Sequence, residues 1–196
     1  MKIIKNLCIA EYKKDGSKFI AHLSPAKGAE QLLSDLQEKH KKAVHFVRAS
    51  RILNEFSNIV ESSSDDGEPK GSSGVPVLNV LRGRELVECA CIVVRYFGGK
   101  LLGVGGLVRA YSNATLLAVE NAETSGAIVD FIHLKTHKIS LPFNAINHAK
   151  YLANKMDIAI LNIDFLENIA KITIECENKA FAEFVSTIGA KYAIMR

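Results

Sequence analysis

Two charged, glycine-rich segments have residue types and spacings that could bind a ligand. The first is DDGEP at residues 65–69, followed by KGSSG at residues 70–74. Its three carboxylates lie within four residues, and they repel one another unless water, a cation or a basic partner balances them. The segment is therefore either a solvated acidic turn or a contact for Mg²⁺ or another ligand. The residue pattern of an EF-hand loop is missing. The candidate binding residues are Asp65, Asp66, Gly67, Glu68 and Pro69.

The second segment follows the most apolar stretch of the chain and reads RYFGGKLLGVGGLVR at residues 95–109. Its pattern predicts the end of a buried strand, a turn rich in glycine and the start of a helix. Glycines let the backbone approach a ligand closely, and a helix start offers free N–H groups that suit an anion. Arg95, Lys100 and Arg109 could supply the matching positive charge. The candidate binding residues are Arg95, Tyr96, Phe97, Gly98, Gly99, Lys100, Gly103, Gly105, Gly106 and Arg109.

Two familiar phosphate-binding motifs do not fit this segment. A P-loop requires Lys and then Ser or Thr directly after its last glycine, whereas Val104 and Gly105 follow Gly103. The dinucleotide fingerprint requires a small residue where Val108 stands. The alternative interpretation is that the glycines only permit a tightly packed turn, with the two preceding aromatic residues in the core.

Arg95 ends so apolar a strand that its charge must lie at the surface or be paired. The carboxylates of Asp65, Asp66 and Glu68 are the candidate partners. We therefore expect the acidic and glycine-rich segments to touch and to form one cleft.

Catalytic arrangements find little support in the sequence. No cysteine lies beside a histidine, and no nucleophile elbow occurs. Surface or packing roles are expected for the histidines, and buried free thiols for the cysteines, which lack zinc-ligand spacing. We expect no catalytic residue, metal site or cofactor. These histidines are His22, His40, His45, His133, His137 and His148, and the cysteines are Cys8, Cys89, Cys91 and Cys176.

Composition indicates a folded chain. Its 196 residues are 48% hydrophobic and 23% charged, with a net charge of +4, a mild basic bias that permits nucleic-acid contact without demanding it. Lys5 and Glu11 interrupt the N-terminal apolar residues too early for a signal peptide. No apolar run approaches the roughly 20 residues that a membrane helix needs. We therefore expect a cytoplasmic protein with no membrane partner.

The elements that would position both segments fall into two domains, residues 1–125 and 126–196, divided at a Thr-Ser-Gly sequence. In the first domain a hairpin turn is predicted at Asp15-Gly16, where both residue types tolerate positive φ. The other elements predicted there are a strand at 3–12, a strand at 18–23, a helix opened by Ser24-Pro25, strands at 44–52 and 56–60, a helix at 75–81 capped by Ser72, a strand at 87–96 and a helix at 107–122.

The second domain shows a βαββαβ order that is typical of a ferredoxin-like fold. The chain as a whole is thus predicted to be α+β. The elements predicted here are strand Ile128–Leu141, helix Pro142–Met156, strand Ile158–Leu166, strand Ile169–Glu175, helix Asn178–Ile188 and strand Lys191–Met195.

The two charged segments together resemble the motifs of the IMPACT/YigZ family, in the correct order and separation. The acidic segment continues to Pro76, and the glycine-rich segment continues through Ala110 to Tyr111; the resemblance covers about residues 17–122. It implies an N-terminal fold like the second domain of ribosomal protein S5, and a C-terminal domain similar to a ferredoxin-like domain of elongation factor G. Val47 stands where family members often have cysteine, so a thiol-dependent role is not expected there.

The resemblance implies a role near translation. Eukaryotic relatives inhibit activation of an amino-acid-starvation kinase by competing for its activator, and nucleic-acid or ribosome binding has been proposed for bacterial relatives. We expect a regulatory binding protein that contacts RNA, the ribosome or a ribosome-bound factor through the basic glycine-rich turn and the acidic loop. The alternatives are a protein–protein interaction module of a stress-response pathway, or a Mg²⁺-dependent enzyme acting on a phosphorylated small molecule.

Overall fold

The computed structural model describes residues 1–194, which form two compact units. The first unit comprises Met1–Phe131, and the second begins at Ile132. Both mix helices with antiparallel sheet, which confirms the α+β class. The predicted division after residue 125 lies upstream of the observed one, because residues 128–130 pair with residues 2–4 inside the first unit.

The first unit contains seven strands and three helices, which are β1 (Lys2–Ile4), β2 (Cys8–Lys14), β3 (Ser17–Pro25), α1 (Ala29–Lys39), β4 (His45–Leu53), β5 (Ile59–Ser64), α2 (Gly74–Gly83), β6 (Cys89–Tyr96), α3 (Gly103–Thr124) and β7 (Ile128–Asp130). Five of the strands form an antiparallel sheet with the order β2-β3-β6-β4-β5, and β1 pairs with β7 in a separate two-stranded ladder.

Strand β6 lies at the centre of this sheet because its side chains are apolar on both faces. Cys91 and Val93 pack into the main core together with α2 and α3. Ile92 and Val94 pack on the opposite face against Leu33 and other residues of α1. The prediction of a strand buried on both sides is confirmed, and Arg95 lies near its end, directly before the glycines.

Several predicted elements of the first unit are corrected by backbone pairing. The predicted hairpin turn is confirmed, with φ of 47° at Asp15 and 79° at Gly16. The strand predicted at 3–12 is two strands, because β1 pairs with β7 whereas β2 pairs with β3. Ser24 and Pro25 do not open a helix; they complete β3 by pairing with β6, and the helix begins at Ala29.

The second unit follows the ferredoxin-like order through its second helix. Its elements are β8 (Lys135–Pro142), a 3-10 turn (Phe143–Ala145), α4 (Ile146–Lys155), β9 (Ala159–Phe165), β10 (Ile169–Cys176) and α5 (Asn178–Gly189). The sheet order is β8-β10-β9, with all pairs antiparallel. The strand predicted at Ile128–Leu141 is split into β7 and β8. Residues 191–194 do not form the strand predicted at Lys191–Met195, and Met195 lies outside the described residues.

A single apolar core holds the second unit together. The inward residues of β10, Ile172 and Ile174, pack with Phe184 of α5 and Ala149 of α4. Across the described residues of both units, no helix is both long enough and apolar enough to cross a membrane.

Candidate functional site

The acidic loop, residues 65–73, is organised around the carboxylate of Asp65. This carboxylate accepts hydrogen bonds from the N–H groups of Gly71 (2.7 Å), Ser73 (3.1 Å) and Gly74 (2.8 Å) and from the Ser73 hydroxyl (2.7 Å). Burial opposes ionisation, but these donors outweigh it and hold the pKa of Asp65 below its usual value. Asp65 therefore closes the loop and caps the start of α2, a role predicted for the Ser72 side chain, which instead donates to the Pro69 carbonyl.

Asp66 and Gly67 turn this loop toward β4. Both have positive φ, 48° and 86°, which glycine adopts without steric cost and Asp tolerates. The Asp66 carboxylate accepts a hydrogen bond of 2.6 Å from the Phe46 N–H, and its carbonyl oxygen lies 2.7 Å from His45 Nδ1. The loop is thus attached to the first residues of β4.

Glu68 is the centre of a buried polar cluster. Its carboxylate accepts hydrogen bonds from Arg95 Nη1 (2.5 Å) and from the Tyr111 hydroxyl (2.7 Å), and His45 Nε2 lies 3.9 Å away. Glu68 and Arg95 are both buried. The Arg95 guanidinium also lies over the ring of Phe19, 5.4 Å from its centroid. The expectation that Arg95 is paired with a carboxylate of the acidic loop is met by Glu68.

The electrostatics of this cluster follow from its burial. Burial raises the pKa of Tyr111, and the adjacent Glu68 carboxylate raises it further, because a phenolate there would be desolvated and would face a negative charge. Tyr111 therefore stays a hydrogen-bond donor. Since Arg95 is occupied by Glu68, its charge does not belong to the solvent-facing positive charge that the sequence suggested.

The glycine-rich segment leaves β6 in tight contact with the β2–β3 hairpin. A side-chain carbon added at Gly98 would lie 1.9 Å from the carbonyl carbon of Gly16 and 2.2 Å from the Ser17 nitrogen. The Gly98 N–H donates a hydrogen bond of 3.1 Å to the Ser17 hydroxyl. Gly98 is therefore required for close backbone packing, whereas Gly99, with φ of 83°, is required for chain direction.

Helix α3 begins at Gly103, so that Gly103, Gly105 and Gly106 lie in the helix and not in the turn predicted for them. The core contacts of Leu107 and the residues that follow it stabilise the helix strongly enough to include glycines of low helix propensity. Arg109 is exposed, and its guanidinium extends back along the helix to 3.6 Å from the position that a Gly105 side-chain carbon would take.

The turn between β6 and α3 exposes apolar and basic side chains side by side. Phe97 is 47% exposed, Leu101 86% and Val104 58%, and Lys100 and Arg109 are also exposed. Within residues 1–194, neither Lys100 nor Arg109 forms an ion pair. We call these five residues the turn surface. Phe97 lies here and not in the core, while Tyr96 is half-buried beside His40, with 2.8 Å between its hydroxyl and His40 Nδ1.

The two predicted segments meet only in part. Glu68 contacts Arg95 and Tyr111, which precede and follow the glycines, but among residues 1–194 no hydrogen bond or ion pair joins the acidic loop to Gly98–Lys100. The three carboxylates of the loop are directed to three different sets of partners. Within the described part of the chain, no group of three His, Cys, Asp or Glu side chains is placed to hold a metal ion.

Sequence reasoning missed three members of this region. His45 and Tyr111 complete the cluster around Glu68, and Ser17 fixes the glycine turn. A signal for Tyr111 existed, since it ends the glycine-rich family motif. No local signal marks His45 or Ser17, because sheet pairing alone places His45 opposite Arg95 and Ser17 beside Gly98.

The fold and this site define a two-unit α+β protein whose first unit carries an exposed turn beside a buried ionic cluster. Comparison with known proteins agrees with the sequence motifs. Residues 15–119 match the Impact N-terminal domain. An IMPACT family member of Haemophilus influenzae is 30% identical over 95% of this chain and 90% of its own length. The IMPACT family member YigZ of Escherichia coli is 31% identical, covering 80% of this chain and 76% of its own.

The chain therefore belongs to the IMPACT family. A solved structure of a hypothetical protein superposes with a TM-score of 0.66 at 23% identity, covering 99% of this chain and 95% of that chain, and it supports the fold alone.

Proposed function

We propose that the protein is a regulatory binding protein of translation, which docks on RNA, the ribosome or a ribosome-bound factor through its turn surface. The observation that carries this proposal is the pairing of exposed apolar side chains with two cations, Lys100 and Arg109, that lack an ion pair within the described residues. The association with translation is an inference from the family resemblance.

The turn surface has the properties of a preformed docking site. Gly98 is packed against Gly16, and its N–H is bound by Ser17, so the backbone beneath Phe97 and Lys100 is constrained before any partner arrives. Preorganisation of this kind lowers the entropy cost of binding. Exposed apolar side chains beside cations suit a partner that offers both phosphates and apolar or aromatic faces.

Arg95 is unsuitable for testing this surface, because reversing its charge would disrupt the buried pair with Glu68. The test is cosedimentation of the purified protein with ribosomes across a salt series, using a Lys100→Glu/Arg109→Glu variant. We expect the variant to bind more weakly and to lose about 2 units of slope in a plot of log affinity against log salt, since each lost phosphate contact removes about 0.9.

A matched control carries Lys5→Glu and Lys27→Glu. Both residues are exposed and lie away from the turn. The backbone N–H of Lys5 donates a hydrogen bond to the Ala127 carbonyl, beyond the end of α3. Lys27 follows the end of β3 that pairs with Cys89, at the opposite end of β6 from the turn. The control should keep wild-type binding. Equal losses in the two variants would mean that only net charge matters and would contradict the proposal.

A protein partner is the second candidate, and the high exposure of Leu101 favours it. In that case binding should depend little on salt and should be lost in a Leu101→Asp variant. The three carboxylates of the acidic loop are held apart by separate partners, so we propose no Mg²⁺-dependent chemistry there.

A further inference from the structure

A groove lies between α2 and α3, and one of its lining residues, Val108, is next to Arg109 of the turn surface. Its volume is about 460 Å³, which falls within the range of sites that bind ligands. Four aliphatic residues form its floor, and Asn79 and Ser112 add one polar group on each helix. The floor residues are Val75, Val80, Val108 and Leu116.

The groove has the dimensions of a short helix. Its lining runs from Val75 to Gly83 along α2 and from Val108 to Leu116 along α3, which is about 12 Å at 1.5 Å per residue. That length matches two turns of a partner helix with apolar residues at positions i, i+3, i+4 and i+7. Val75 is 42% exposed, so a partner helix would bury apolar surface at one end of the groove.

The charges around the groove are asymmetric. Arg84, directly after α2, pairs with Glu120 and Glu123 near the end of α3, so the ends of the two helices lie together and this end of the groove is neutralised. Both helices therefore begin at the opposite end. Lys70 and Arg109 lie there, both exposed and, within the described residues, without an ion pair.

Among the described residues, no carboxylate forms an ion pair with Lys70 or Arg109, although the acidic loop is close in sequence. The carboxylate of Asp65 accepts hydrogen bonds from Ser73 and from Gly74, the first residue of α2, and so offsets the partial positive charge of that helix start, while the carboxylate of Glu68 is bound by Arg95. The positive charge at this end comes from the side chains of Lys70 and Arg109. A ligand at this end should therefore be negatively charged.

We propose that the α2–α3 groove binds an amphipathic helix of a partner protein, with its apolar stripe on the groove floor and acidic residues beside Lys70. The inference does not require the turn surface to bind RNA or the ribosome, although Arg109 belongs to both regions. It specifies both the form of the partner segment and its direction in the groove.

The test uses the full chain, labelled with ¹⁵N, and two synthetic amphipathic peptides. Both carry leucine at positions i, i+3, i+4 and i+7; the first has glutamates at one end, and the second has lysines there. We expect the glutamate peptide to cause saturable shifts in the amide signals of Val75, Val80 and Val108. The lysine peptide should bind at least ten-fold more weakly.

Two variants complete the test. Gly83→Phe should fill the groove and abolish binding while the protein keeps its fold, because a side-chain carbon at Gly83 meets no atom within 4 Å. Lys70→Glu should weaken binding of the glutamate peptide about three-fold and reduce the preference of the protein for this peptide over the lysine peptide. The proposal is overturned if neither peptide causes saturable shifts, if both bind with equal affinity, or if the shifts are confined to the turn surface. It is also overturned if a folded Gly83→Phe variant binds the glutamate peptide as the wild type does.

Discussion

Replacing Glu68 by Gln tests the buried cluster most directly. The substitution keeps the shape of the side chain and an oxygen that can accept from Tyr111, but it removes the charge that faces Arg95 at 2.5 Å. Both partners of this pair are buried, with side-chain exposures of 6% and 3%. Leaving one buried charge without its partner costs about 3–5 kcal/mol. We therefore expect the first unit to lose about 3 kcal/mol of unfolding free energy.

The assay must report on the first unit alone, because two units need not unfold together. Amide hydrogen exchange of β6 and α3 at pH 7.5 meets this need, since these elements form the core of the first unit. A double variant, Glu68→Leu with Arg95→Met, is the decisive companion, because replacing both ions by apolar groups can be nearly neutral. It should recover part of the lost stability, because the charges are removed together while the buried Tyr111 hydroxyl still loses its acceptor.

The control for this experiment is Asp66→Asn, whose carboxylate is in the same loop but exposed. Asp66→Asn should lose much less unfolding free energy than Glu68→Gln. The reasoning is refuted if Glu68→Gln lies within about 1 kcal/mol of the wild type, or if the double variant is as unstable as the single variant, because a buried ion pair predicts neither result.

Three further predictions follow from the same contacts. Asp65→Ala should cost about 1–2 kcal/mol through loss of an N-terminal helix cap, and increased exchange of the Gly74 amide should locate the loss. His22 has its pKa lowered by burial, so its unfolded form binds more protons below about pH 6.5; stability should fall as pH drops from 7.5 toward 5.5, and a His22→Gln variant should flatten that dependence in thermal melts. Gly98→Ala should destabilise the first unit more than Gly99→Ala, because only the former clashes with the neighbouring hairpin; equal melting temperatures would contradict this.

The local sequence pattern was sufficient to predict the structure of segments whose conformation does not depend on a distant partner. The apolar run of β6 could only be a buried strand, and Asp15-Gly16 could only be a tight turn. The failures came where a distant partner decided the outcome. Ser24 and Pro25 look like a helix start, but pairing with β6 keeps them in a strand.

The glycines show why the site itself was only partly predictable. Their spacing predicted a segment in which backbone approaches something closely, and Gly98 does so. What it approaches is the backbone of Gly16, more than 80 residues earlier in the chain. A glycine in the sequence indicates that a side chain would not fit at that position. Only the topology of the fold identifies the group that would clash with it.

The pairing of Arg95 with Glu68 also limits the strength of binding at the turn surface. With Arg95 occupied, two cations remain there, Lys100 and Arg109. Two phosphate contacts give a salt slope of only about 2, whereas proteins that bind nucleic acid tightly make roughly 6–10 such contacts. Electrostatic attraction at this surface is therefore weak by itself, and under the proposed function Phe97 and Leu101 would supply much of the affinity. The proposal accordingly predicts that a partner that offers phosphates without an apolar or aromatic face binds poorly.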